Sequence, residues 1–132
     1  MKFAKEMSTI LCDDIRQEVG NKISLMGIYS KDIFVPEIPF TLAKLCLLLI
    51  AKDVQQEIHD LNVIVRIPGN DPVTLDLPTP ANPKNPQHIH MGVTIAPFNI
   101  KAEGEAKIEI FHKKETKPFI THRFNLICKK AT

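Results

Sequence analysis

Alternation of period two, carried from one end of this chain to the other, restricts it to a fold built from strands. The clearest instance is the stretch from Asp13 to Tyr29. Asp14, Arg16 and Glu18 form an acid–base–acid row at strand spacing, Gly20-Asn21 supplies a turn, and Lys22 to Tyr29 resumes as a second strand. A two-residue Gly20-Asn21 turn would pair Val19 with Lys22 and set Arg16 against Leu25, mixing charge with core residues. A three-residue loop, pairing Val19 with Ile23 and Ile15 with Gly27, keeps the apolar side chains together. Register decides which face is buried, so the longer loop is expected. Placement of the two strands in different sheets is also compatible with the pattern.

Further strands follow at near-regular spacing. Leu61, Val63, Val65 and Ile67 alternate with Asn62, Ile64 and Arg66 ahead of a Pro68-Gly69-Asn70-Asp71-Pro72 turn. Val73, Leu75 and Leu77 form one face of the next strand. Ile89, Met91, Val93 and Ile95 oppose His88, His90, Gly92 and Thr94. Ala106, Ile108 and Ile110 alternate with Lys107 and Glu109, and Ile120, His122, Phe124, Leu126 and Cys128 share the face of a last strand. Between Leu42 and Leu61 there is neither Gly nor Pro, and Leu, Ala, Lys, Gln and Glu are good helix formers. A helix beginning near Thr41 therefore competes there. Strand is preferred for Lys44 to Lys52, because Leu45, Leu47 and Leu49 fill one face while Cys46, Leu48 and Ile50 fill the other, as in a central strand. The whole pattern predicts a single all-β domain over residues 1–132, an antiparallel sandwich of about seven to nine strands.

Composition narrows the function classes. Lys and Arg total 17 against 15 acids, with both signs interspersed and no basic block, so the electrostatic footprint of a nucleic-acid binder is missing. The N-terminal Met1 to Glu6 has no apolar core of a secretory signal. The longest apolar run, Leu45 to Ala51, is seven residues, well short of the roughly 20 that span a bilayer as a helix. A cytoplasmic protein that binds neither nucleic acid nor membrane is expected. The three cysteines, Cys12, Cys46 and Cys128, include no Cys-x-x-Cys pair and read as structural thiols in a reducing compartment. The segment Pro78 to Pro86 holds four of the ten prolines. It reads as a semi-rigid crossover loop, with a binding loop as the less favoured reading.

The run Cys12-Asp13-Asp14-Ile15-Arg16-Gln17-Glu18, followed by Lys22-Ile23-Ser24-Leu25-Met26-Gly27-Ile28-Tyr29 and then Val35-Pro36, resembles a family of short bacterial or phage proteins of unknown function. The stretch from Asn99 to Cys128 is similar to the closing strands of bacterial immunoglobulin-like sandwiches. The resemblance implies an immunoglobulin-like β-sandwich and a bacterial or phage origin, and it brings no activity or site residue with it.

Candidate chemistry is sparse. His88 and His90 project side by side from one strand face, a spacing that metal ligands use. Zinc needs a third protein ligand, and His112, His122, Asp13 and Glu105 are far away in sequence. His122, between Ile120 and Phe124, reads as a hydrogen-bonded core residue with the capacity to titrate near neutrality. In the row Asp14, Arg16, Glu18 the arginine favours ionisation of both acids, which suits a surface ion ladder or partner patch better than an acid–base pair. No Gly-x-Ser-x-Gly elbow or phosphate loop is present, and Ser8, Ser24 and Ser30 have no local histidine. Tryptophan is absent and Tyr29 is the sole tyrosine, which removes an aromatic platform for sugars or single strands. No enzyme activity and no cofactor are expected. What survives is a protein-interaction or self-association module. Its partner-binding candidates are Phe34, Ile38 and Phe40, in a proline-guarded edge segment, together with Asp14, Arg16 and Glu18. A metal-binding protein or metal-dependent enzyme using His88 and His90 is the alternative, and a small-ligand pocket lined by Met26, Met91 and leucines is a third option.

Overall fold

The computed structural model describes residues 3–20, 22–55, 61–77, 88–112 and 115–129. Among them are eleven strands and no helix: β1 (Ala4–Glu18), β2 (Lys22–Tyr29), β3 (Asp32–Val35), β4 (Phe40–Leu42), β5 (Leu45–Val54), β6 (Leu61–Arg66), β7 (Val73–Asp76), β8 (His88–Ile95), β9 (Phe98–Ile100), β10 (Gly104–His112) and β11 (Ile120–Cys128). One sheet has the order β2-β1-β5-β8, a second the order β3-β11-β10-β6-β7, and β4 pairs with β9 alone. Every pairing is antiparallel except β3 on β11, which is parallel.

The strand preferred over a helix at Lys44 to Lys52 is present as β5. It lies between β1 and β8, and the reason is visible in its burial. Leu45, Leu47, Leu49 and Ala51 enter the core, while Cys46 and Leu48 are buried on the opposite side. A helix would have spread these residues around its circumference and left part of the apolar run in water. The proline-rich segment Pro78–Pro86 lies outside the described residues.

The two large sheets enclose one core. Leu11, Leu47 and Val93 lie in one cross-strand row of the first sheet, and Val65 and Ile108 in a row of the second, with Phe124 and Leu126 on β11. All belong to one buried cluster. Thr9 on β1 and His122 on β11 bond across it, with 2.8 Å between Thr9 Oγ1 and His122 Nδ1. At one end Phe3 stacks on Phe119 with ring centroids 4.4 Å apart.

The opening hairpin has a three-residue connection, as expected, but moved one residue toward the N-terminus. Glu18 faces Lys22, Arg16 faces Ser24 and Ile15 faces Leu25. Gly20, at φ 90°, occupies the middle of the loop, where a residue without Cβ adopts the left-handed backbone at least cost. The apolar pair Ile15–Leu25 is still kept on one side. Beyond Cys12, β1 stops pairing with β5, and the hairpin crosses the outer face of the sheet. Ile15 Cδ1 reaches Gly92 of β8, lying 3.2 Å from where a Cβ would stand. Leu48 sits between Ile10 and Gly92 in the same cross-strand row, and this cover accounts for its exposure of only 2% on an outward face.

Candidate functional site

The bend of the hairpin gathers the polar residues of the Asp13–Tyr29 stretch. Gly27 is at φ 66°, and a Cβ there would come within 2.8 Å of Asp13 Cγ. Only glycine lets the Asp13 carboxylate lie against β2. The Tyr29 hydroxyl donates to Asp13 Oδ1. Burial, followed by this bond to a carboxylate, pushes the phenol well above its ordinary pKa, because both disfavour a second negative charge. Tyr29 is thus a fixed donor and carries no acid–base chemistry near neutrality.

Asp14, next to it, points to a different set of partners. Its carboxylate accepts from Lys44 Nζ and, at 3.1 Å, from Arg16 Nε. The Lys44 bond and then the Arg16 bond hold the carboxyl below the usual range. Asp14 and Arg16 are therefore an ion pair extended by Lys44, the residue just ahead of β5. Glu18 stands at the hairpin end opposite Lys22.

Directly beneath the bend, Cys12 of β1 and Cys46 of β5 are cross-strand partners. Both are free thiols and both are buried. Cys12 donates to the Asp14 carbonyl at 3.5 Å and Cys46 to the Asp13 carbonyl at 3.7 Å. Burial, followed by the neighbouring Cys46, raises the Cys12 thiol above its ordinary pKa. The sequence alone gave no sign of this meeting, since 33 positions separate the two residues and the register of β1 on β5 is what joins them. Cys128, in contrast, is exposed.

The residues of the Phe34–Phe40 segment separate into two environments. Phe34 is 57% exposed on β3, an edge strand, with Lys129 Nζ 5.7 Å from its ring centroid. Ile38 and Phe40 pack against the core. Met26 and Ile28 are also exposed, on β2 at an edge of the first sheet.

His88 and His90 stand on the exposed face of β8 opposite Lys52 and Ile50. No group of three His, Cys, Asp or Glu side chains able to hold a metal occurs among the described residues. The distant candidates are engaged elsewhere: His122 with Thr9, His112 against the Phe3 and Phe119 rings, Asp13 with Tyr29, and Glu105 with Arg123. Surface depressions among the described residues include one of about 170 Å³ lined by Glu6, Met7, Ser8, Ile50 and Lys52, and another of about 260 Å³ beside Lys31, Glu105 and Arg123. Met26 and Met91 line neither; Met26 faces solvent and Met91 is in the core. No helix among the described residues is long and apolar enough to cross a membrane.

An all-β chain whose exposed features are strand edges and ion pairs is the class these observations define. The chain belongs to the Family of unknown function (DUF6941), whose model matches residues 7–121. That range takes in β2 and all of β1 but its first three residues, and it runs into β11. No curated protein matches the chain.

Proposed function

We propose that this chain is an immunoglobulin-like β-sandwich that serves as a protein-interaction or assembly module, with Phe34 as its anchor. The observation that carries the reading is a phenylalanine more than half exposed on an edge strand, where its neighbours Ile33 and Val35 are fully buried. Partner surfaces are organised around such aromatic anchors. β3 is only four residues long and is followed by Pro36, so it resists indiscriminate strand pairing while still offering the ring. The Asp14–Arg16 row adds a polar patch on the hairpin. Free thiols at Cys12 and Cys46 suit a reducing, cytoplasmic setting.

Native-size analysis of the protein in extract of its own host tests this directly. The wild-type chain is expected in an assembly larger than the monomer, and Phe34→Asp is expected to run as a folded monomer. An unchanged assembly in the variant would remove Phe34 as the anchor. The side-by-side imidazoles of His88 and His90 support a second reading as a metal-binding protein. Stoichiometric metal in untagged protein, lost in His90→Ala, would favour it over the first.

A further inference from the structure

We infer that Cys12 and Cys46 are a site of reversible oxidation, forming a cross-strand disulfide beneath the Asp13–Tyr29 hairpin. Directly opposed residues of an antiparallel pair have Cα atoms about 4.5–5.5 Å apart with side chains on the same face. That separation falls within the Cα range a disulfide spans, about 4.4–6.8 Å. Bringing the Cβ atoms from about 4.5–5.5 Å to the roughly 3.5–4.5 Å of a disulfide takes side-chain rotation with a small inward shift of the two strands. The pairing is fixed by eight register positions between β1 and β5, of which Cys12–Cys46 is the last before β1 leaves its neighbour.

The thiol protons are used where they are. Cys12 and Cys46 donate them to the carbonyls of Asp14 and Asp13, the two residues at the bend, and Cys46 Sγ also lies 3.6 Å from Thr94 Oγ1. The hairpin that receives these bonds also shields the sulfurs, so reaction waits on its lifting. With a disulfide oxidant such as oxidised glutathione, one cysteine thiolate attacks an oxidant sulfur and expels one glutathione thiolate. The second cysteine thiolate then attacks the protein-bound sulfur and expels the other. Two protein thiols are oxidised, one glutathione disulfide is reduced, and the two thiol protons end on the two glutathiones released. The bend thereby loses both S–H donors, which couples the redox state of the pair to the hold on the hairpin.

The test uses the full chain carrying Cys128→Ser, which leaves only the pair, treated with millimolar oxidised glutathione under native conditions and read by intact mass and peptide mapping. Loss of the mass of two hydrogens, a Cys12–Cys46 cross-linked peptide and full reversal by dithiothreitol are expected. In Ile15→Ala, which thins the cover over β8, the reaction should run several-fold faster. In Cys46→Ser, or in Cys12→Ala should the first variant not fold, the cross-link is lost. Stable glutathione adducts on both cysteines would overturn the inference. So would a folded chain that stays reduced while the urea-denatured chain reacts.

Discussion

Gly27 and Gly20 both hold a left-handed backbone, yet substitution should treat them very differently. A Cβ on Gly20 meets open space, whereas one on Gly27 meets the Asp13 carboxyl. Gly20→Ala should therefore cost about 1–2 kcal/mol from backbone strain alone. Gly27→Ala should cost about 2–4 kcal/mol, because it also displaces Asp13 from Tyr29. Urea unfolding of the two variants measures the difference. His122 gives a pH prediction at the same scale. Burial lowers its pKa, so the folded state binds the proton less well than the unfolded one. Its contribution to stability is then full above the unfolded value of about 6.5 and is lost as pH falls through the folded value. The urea midpoint of the wild type should fall more steeply between neutral and mildly acidic pH than that of His122→Gln. Equal slopes would show that the ring contributes nothing to the acid sensitivity.

Among the elements, β5 was the most legible and the short β9, which the alternation did not mark, the least. Apolar residues on both alternating faces of Leu45 to Ala51 announced a central strand, and the structure has one. The alternation at β6, β7, β8, β10 and β11 likewise marked real strands. Period two reports which residues share a face, but it does not report where a strand parts from its neighbour. For that reason the bend at Asp13 and Gly27, the Cys12–Cys46 meeting and the Thr9–His122 bond were not readable from the sequence. The hairpin register was right in parity and displaced by one residue per strand, because Gly20 took the loop centre. Leu48 tests the bend. If the hairpin truly covers it, Leu48→Ala should cost about 2–5 kcal/mol, like the core residue Leu47. An uncovered outward leucine would cost well under that range when truncated, and chemical denaturation separates the two outcomes.

For the whole molecule, function rests on which surface is left over once the core is closed. The Phe34 to Phe40 run read from the sequence as one anchor patch, and the fold divides it: Ile38 and Phe40 pack on the core while Phe34 remains outside. Phe34→Asp should consequently leave unfolding free energy within about 0.5 kcal/mol of wild type, as expected of a surface change that opens no cavity. The His88–His90 pair was legible as a shared face of β8, but the spatial neighbours that a metal site requires belong to tertiary structure. The most direct measurement is affinity capture from the native host with the wild-type chain, Phe34→Asp and Val73→Asp, followed by quantitative mass spectrometry. The interaction reading predicts a stoichiometric partner recovered with the wild type and with Val73→Asp, whose site is exposed on the opposite edge strand, and lost with Phe34→Asp. Identical recovery by all three chains would contradict it.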